Sequence, residues 1–312
     1  MNQPVGRFAP SPSGRMHLGN LFCSLLAWCS VRSQGGRMIL RHEDLDKPRC
    51  PVEYARQLEE DLRWLGLDWD EGGLNPDGSL SAYCQSQRTS LYQQALEELE
   101  RKGLLYPCTC TRAQLQVASA PHREDGTPIY PGNCRKGGIA PDRPAAQRIK
   151  VDGQTIRVQD GHMGKICQHL PTECGDFVLR RSDGVFAYQL AVVVDDALMG
   201  VNQVVRGADL LDSTPRQVFL YHQLGYEPPQ FYHLPLLLAA DGRRLAKRDK
   251  DVNLEQLKNC YTPEEIVGRL AYLAGQQSSI QPLRAAELAQ KFDWSKVPQN
   301  DICIPDKMFK IG

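Results

Sequence analysis

Three groupings in the 312-residue sequence have the residue types and spacing for chemistry. In the first, His17, Gly19 and Asn20 follow a turn rich in proline and glycine (Pro10, Pro12, Gly14), where a short apolar segment gives way to a helical pattern. A helix start offers backbone N–H groups and the positive end of the helix dipole to phosphate. A glycine there lets the backbone approach a nucleotide. An imidazole beside it can stabilise negative charge growing on a phosphoryl group. In the second, Asp241-Gly242-Arg243-Arg244-Leu245-Ala246-Lys247-Arg248 follows an apolar run, residues 234–240. Such a cationic loop offers mobile positive charge. In the third, Cys108-Thr109-Cys110 and Cys134 share a stretch rich in proline and glycine, a pattern that suggests tetrahedral zinc. Three ligands are clear; for the fourth, chemistry alone favours His122, imidazole being a common metal ligand. Taken singly, His17 reads as a helix cap and the basic loop as a solvated turn.

The elements that must position these groups follow from hydrophobic periodicity. Residues 5–9 read as a strand and 18–33 as a helix, with Leu21, Leu25 and Cys29 on one stripe and Gly35-Gly36 as its stop. Residues 38–40 form a second strand. Pro51 suits the first turn of another helix, lined by Tyr54, Leu58, Leu62 and Leu65 and closed by Gly66. Residues 87–102 form a third helix closed by Gly103. This alternation predicts a parallel α/β sheet. It fails between about residues 107 and 151, which read as an insertion. It returns with strands at 176–179 and 190–194, the latter a β-branched run ending in Asp195-Asp196. Residues 215–225 are helical, and the remainder after residue 250 is helix and loop.

Composition bounds the partners. Apolar residues make up 41% and charged residues 24%, with 37 basic against 37 acidic side chains. At zero net charge, any phosphate-binding surface must be a local patch. The opening residues lack a basic and apolar leader, and no apolar stretch approaches the roughly 20 residues of a membrane helix. With 11 cysteines at scattered positions, a reducing cytoplasm is expected, with most thiols free.

The string Arg7-Phe8-Ala9-Pro10-Ser11-Pro12-Ser13-Gly14, then His17-Leu18-Gly19-Asn20, resembles the opening of the glutamyl-tRNA synthetases, with His17 to Asn20 at the HIGH element of class I enzymes. Arg41-His42-Glu43-Asp44-Leu45-Asp46 is similar to the family's second strand. The longest similarity covers residues 176–217, including Asp176-Phe177-Val178-Leu179-Arg180-Arg181, Tyr188 and Val205-Arg206-Gly207-Ala208-Asp209. Residues 244–248 stand at the KMSKS loop, with Arg244, Ala246 and Arg248 departing from its Lys and Ser positions. The resemblance implies a Rossmann-like α/β class I catalytic core. It implies catalysis by His17, Lys247 and Arg244, and ATP binding by His17, Gly19, Asn20 and Lys247. It implies glutamate binding by Arg7, Phe8, Ala9, Pro10, Ser11, Glu43, Tyr188 and Arg206. The chemistry agrees, because a guanidinium gives a carboxylate a bidentate fork. A bacterial branch similar to this core carries Cys-x-Cys and then Tyr-x-x-x-Cys, implying Cys108, Cys110, Tyr130 and Cys134 as ligands of one structural zinc ion.

Residues 251–312 leave no room for the long helical anticodon-reading region of glutamyl-tRNA synthetases. The whole length therefore resembles the shortened paralogous family, the glutamyl-queuosine tRNA(Asp) synthetases. That resemblance implies a ligase that activates L-glutamate with ATP and Mg2+, without tRNA, and then transfers it to the queuosine base at the wobble position of tRNA(Asp). The expected division is 1–106, first half of the catalytic domain; 107–175, inserted zinc-containing subdomain; 176–250, second half with the phosphate loop; and 251–312, a short helical C-terminal region. A monomer in the cytoplasm, without membrane attachment, is expected. Two rivals are a truncated synthetase charging a tRNA 3′ end and a non-catalytic RNA-binding paralogue.

Overall fold

A side chain at Gly6 would collide with the first helix: a Cβ there would lie 2.4 Å from Val31 Cγ2. That close approach seats the helix on the strand and fixes where its N-terminus emerges. In this computed structural model, residues 3–111, 129–137, 142–243, 245 and 253–309 are described. Their helices and strands, in chain order, are β1 (Val5–Phe8), α1 (Leu18–Arg32), β2 (Arg37–Leu40), α2 (Val52–Trp64), β3 (Glu71–Gly72), α3 (Thr89–Arg101), β4 (Leu105–Cys108), β5 (Ala146–Ile149), β6 (Thr155–Asp160), β7 (Gly164–His169), α4 (Leu170–Glu173), β8 (Phe177–Arg180), α5 (Tyr188–Leu198), β9 (Gln203–Gly207), α6 (Thr214–Leu224), β10 (Gln230–Leu234), β11 (Leu237–Leu238), α7 (Leu254–Lys258), α8 (Pro263–Leu273), α9 (Ala285–Lys291) and β12 (Ile302–Cys303).

Strands β1, β2 and β3 run parallel, with Val5 opposite Arg37 and Phe8 opposite Leu40. Strands β9 and β10 form a second parallel pair, with Gln203 opposite Gln230. Asn202 joins the two sets. Its side-chain oxygen accepts from the Val5 N–H at 2.7 Å, and its own N–H donates to Val5 O at 3.1 Å. The carboxyl ends of β1 and β9 thereby open on the same side, where a ligand site is favoured in such sheets. Strands β4, β5 and β8 form a separate antiparallel sheet, and β6 and β7 form a hairpin. The antiparallel sheet uses residues on both sides of residues 107 and 175, so the insertion is stitched to the core by hydrogen bonds rather than set apart.

Two apolar cores support this layout. Leu21, Leu25 and Leu26 of α1 pack with Leu254, Leu257, Ile266 and Leu270, so residues after 253 share a core with the first helix. The second core joins α3, α5 and α6 beneath β8, with Val192, Val193, Val194 and Phe219 inside it.

Residues 190–194 correct the sequence expectation: they lie in helix α5, not in a strand. The valines are buried on every side of the helix, so no polar face remains to reveal a helical period. Burial of each valine contributes about 1.5–3 kcal/mol, which outweighs the few tenths that a β-branched residue costs a helix. In a strand, Asp195 and Asp196 would point to opposite faces. On α5 both carboxylates reach inward. Asp195 accepts from Arg88 Nε at 2.6 Å, Tyr92 OH at 2.8 Å and Gln85 Nε2 at 2.9 Å. Asp196 accepts from Arg41 Nη1 at 2.6 Å and lies 3.5 Å from Arg7 Nε.

Breaking a fully buried ion pair by removing one partner costs about 3–5 kcal/mol. Asp195→Ala is therefore expected to lower the unfolding free energy by that amount in urea titrations. Leu198→Ala, at a half-exposed position of the same helix, is expected to cost less than about 0.5 kcal/mol. Equal, small losses for both would show that the carboxylate does not hold the elements together.

Candidate active site

Where β1 ends and α1 begins, the chain encloses a cleft of about 530 Å3. It is lined by Arg7, Phe8, Ala9, Pro10, Ser11, His17, Gly19, Asn20, Glu43, Tyr188 and Arg206. The structure thus brings together every expected substrate-site residue among the described ones. Lys247 and Arg244, with Ala246 and Arg248, lie outside the described residues. Leu245 lines the cleft, and Asn253, the first described residue after that stretch, forms a backbone bridge with His17. The Leu254 N–H also donates to Met16 O at 3.0 Å.

His17 caps α1. Its Nδ1 accepts from the Gly19 N–H at 3.1 Å, while Asn20 Oδ1 accepts from the His17 N–H at 3.3 Å. A Cβ at Gly19 would meet His17 Cε1 at 3.0 Å, so the glycine leaves room for the ring to fold over the backbone. With Nδ1 accepting, the neutral imidazole carries its proton on Nε2, which becomes its donor.

The opposite wall is a chain of buried charges. Arg41 donates from Nη1 to Asp196 and from Nη2 to Glu43 Oε1 at 3.2 Å. Burial raises the Asp196 pKa, but the Arg41 and Arg7 guanidinium groups outweigh it and hold the carboxyl below its ordinary value. At Glu43 burial wins over the same two cations, and the pKa is raised. A carboxyl so poised is ready to pair with an arriving ammonium group. Burial likewise raises the Tyr188 pKa.

Arg206 differs from the other buried cations. It donates from Nε to His233 Nε2 at 3.0 Å, from Nη1 to Gln217 Oε1 at 2.7 Å and from Nη2 to Thr214 Oγ1 at 2.8 Å. All three direct acceptors are neutral groups when His233 is neutral. Two of its five N–H groups remain beyond these bonds, and the guanidinium keeps a positive charge not cancelled by a direct carboxylate partner. Burial, with Arg7 nearby, lowers its pKa.

Several cleft residues escaped the sequence reading: Arg15, Cys23, Ser24, Ala27, Gly207 and Asp209. One signal could have found three of them. Gly19, Asn20, Cys23, Ser24 and Ala27 share one helical face, small or polar, beside the leucine stripe. Arg15 and Asp209 carry no such periodicity. Arg15 is tied by Nη2 to Glu255 Oε1 at 3.0 Å, which links the turn before His17 to α7.

The cysteine grouping is also assembled. The sulfur atoms of Cys108, Cys110 and Cys134 all lie within 4.8 Å of one another. Tyr130 OH lies 3.5 Å from Cys108 Sγ and 3.8 Å from Cys110 Sγ, and accepts from the Cys134 N–H at 2.8 Å. A tetrahedral zinc ion with bonds of about 2.3 Å has ligand sulfurs about 3.8 Å apart, and Cys110 and Cys134 stand at 3.5 Å. The donor set therefore fits zinc without large movement. Burial raises the Cys134 thiol pKa, yet hydrogen bonding from Tyr130 outweighs it and brings the value to about 7. Gly175 has φ +70°, and a Cβ there would lie 2.9 Å from Tyr130 O, so a glycine is needed behind the tyrosine. His122 lies outside the described residues.

Residues 5–308 match the family of tRNA synthetases class I (E and Q), catalytic domain. The chain is 50% identical to the glutamyl-Q tRNA(Asp) synthetase of Symbiobacterium thermophilum, covering 96% of this chain and 95% of that one. It is 45% identical to the protein of the same name from Nitratidesulfovibrio vulgaris, again over 96% and 95%. Among solved structures, the glutamate-tRNA synthetase from Elizabethkingia anophelis superposes with a TM-score of 0.82 at 25% identity, covering 98% of this chain and 69% of that one. A glutamate tRNA ligase from Elizabethkingia meningosepticum, solved in complex with its amino acid, gives 0.81 at 25% identity, over 98% and 68%. With residues 5–308 matched by the family and relatives 50% and 45% identical over nearly their whole length, the chain belongs to the class I tRNA synthetases of the E and Q group, among the glutamyl-Q tRNA(Asp) synthetases.

Proposed function

We propose that this protein activates L-glutamate with ATP, without tRNA, and then transfers the glutamyl group to the queuosine base at the wobble position of tRNA(Asp). The observation that carries the reading is one cleft holding both the His17–Asn20 helix start and Arg206, a buried guanidinium with neutral partners. Arg206 and Arg7 hold the glutamate side chain, Glu43 takes its ammonium group, and residues 8–11 and Tyr188 line its walls. In the first step the glutamate α-carboxylate attacks the ATP α-phosphate and pyrophosphate leaves. The His17 Nε2–H and the N–H groups at the start of α1, with Gly19 and Asn20, stabilise the charge that develops. Lys247 and Arg244 add cations, a role supported by Leu245 and Asn253 lying at the cleft. In the second step a hydroxyl of the modified base attacks the carbonyl of the glutamyl-adenylate. The ester forms as the acyl–phosphate bond breaks and AMP leaves, the hydroxyl proton passing to solvent, and orientation supplies most of the rate.

ATP brings Mg2+, which neutralises phosphate charge. Cys108, Cys110, Tyr130 and Cys134 would hold zinc, which would cross-link the start of the insertion, residues 107–175, to its loop at 130–134. The ligand loop is supported from behind by Asp176, which accepts from Tyr106 OH at 2.7 Å and Arg135 Nη1 at 3.1 Å. Leu254, Leu257, Ile266 and Leu270 pack on α1 and brace the helix whose start carries His17. We further propose a cytoplasmic monomer; no helix among the described residues is long and apolar enough to cross a membrane.

The structural likeness to glutamate-tRNA synthetases favours a second reading, charging of a tRNA 3′ end. The greater identity to glutamyl-Q tRNA(Asp) synthetases supports the first. Mapping radiolabelled glutamate on tRNA(Asp) separates them: label is expected in the anticodon fragment, and label at the 3′ terminus would reject the proposed transfer.

Glutamate-dependent ATP–pyrophosphate exchange is expected in the absence of tRNA. His17→Ala is expected to lower its rate by about 10²–10³, the usual loss for one transition-state donor. Wild-type protein that binds tRNA but supports no exchange would favour a non-catalytic RNA-binding role. For the metal, one zinc per chain is expected by atomic emission, with loss in Cys134→Ser. Unchanged zinc in that variant would rule out this ligand set.

A further inference from the structure

Behind Arg206 stands a buried pair that the reaction itself does not use. The β6–β7 hairpin comes against β10 so closely that a Cβ on Gly161 would lie 2.2 Å from the Tyr232 ring. That contact delivers Asp160 to His233. Asp160 Oδ2 is 2.6 Å from His233 Nδ1. Its Oδ1 accepts from the N–H groups of His162 at 2.9 Å, Met163 at 2.8 Å and His233 at 3.2 Å. Asp160 and His233 are almost entirely inaccessible to solvent. Three backbone N–H donors stabilise the ionised carboxylate, whose pKa is lowered, so Oδ2 can only accept and His233 must carry its proton on Nδ1. Its Nε2 lone pair then faces the Arg206 Nε–H at 3.0 Å. Burial lowers the His233 pKa despite the Asp160 hydrogen bond, which keeps the ring neutral.

We propose that Asp160 and His233 are positioning residues that hold Arg206 in the orientation that receives the substrate carboxylate, with His233 acting as a neutral spacer between Asp160 and the guanidinium. The reason for a spacer is electrostatic. A carboxylate bonded directly to Arg206 would neutralise it and compete with the ligand. A neutral imidazole fixes the same N–H while leaving the charge available. Gln217 is arranged to the same end: its amide N–H donates to Gln189 Oε1 at 2.8 Å, which turns its oxygen toward Arg206. The hairpin that follows the zinc loop therefore reaches the amino-acid pocket through Asp160, tying the insertion to substrate affinity.

The inference rests on Arg206 as the holder of the glutamate side chain, so two measurements are needed. In pyrophosphate exchange, His233→Leu removes the acceptor and is expected to raise the glutamate KM about tenfold, the usual effect of leaving a buried donor unpaired. The ATP KM and kcat should each stay within about threefold. His233→Gln, which can return an acceptor to Arg206 Nε, should recover most of the glutamate affinity. Equal increases in both KM values, or a folded His233→Gln protein as defective as His233→Leu, would overturn the proposal. Independently of activity, long-range 1H–15N spectra of the 15N-histidine-labelled full chain should show the Nδ1–H tautomer for the signal that His233→Gln removes. An Nε2–H or doubly protonated ring at neutral pH would overturn it. Absence of any glutamate-dependent exchange in the wild type would instead reject the function proposed above, leaving the spectrum to decide the positioning role.

Discussion

The two adjacent carboxylates of α5, Asp195 and Asp196, are the constraint on which the site depends. Asp195 gathers Arg88, Tyr92 and Gln85 from the region leading into α3, and Asp196 gathers Arg41 from the end of β2 and Arg7 from β1. Taking either charge out of water unpaired would be prohibitive. The four elements can therefore close only with the arginines turned inward. The same contact that makes the core electrically acceptable orders the wall of the cleft, because Arg41 passes from Asp196 to Glu43 and Arg7 faces the pocket from the other side of Asp196.

Two kinds of buried arginine thus stand at and behind the cleft, with different consequences. Arg41 is matched by acids and serves as structure. Arg206 is matched by an imidazole, an amide and a hydroxyl, and keeps an uncancelled charge within the pocket. Fixing a guanidinium with neutral acceptors makes it both rigid and unsatisfied, the combination that a carboxylate ligand can exploit. The helix start at His17 follows the same logic of preparation. The Gly19 N–H sets the imidazole tautomer through Nδ1, and Asn20 holds the His17 backbone, so the proposed donor is oriented before any nucleotide arrives.

Much of this was legible in the sequence where function depends on local spacing. The strand, Pro-rich turn and helix around residues 7–20 were readable because glycine, proline and apolar period act within a few residues. The cysteine spacing was readable for the same reason, and the structure gathers Cys108, Cys110, Tyr130 and Cys134. What escaped was set by partners far along the chain. Residues 190–194 look like a strand by composition, and only burial on all sides makes them a helix. The face of α1 formed by Cys23, Ser24 and Ala27 was overshadowed by the leucine stripe beside it. Asp160 and His233 are 73 residues apart, and nothing local marks either as a partner of Arg206.

In the proposed function, an uncancelled, rigidly held Arg206 makes the cleft demand a side-chain carboxylate. The direct measurement is kcat/KM in ATP–pyrophosphate exchange for glutamate against glutamine, which have nearly the same shape and differ in charge. Glutamate is expected to be preferred by about a thousandfold or more, in the manner of a site that leaves a buried polar group unpaired with the wrong substrate. Comparable values for the two amino acids would contradict it.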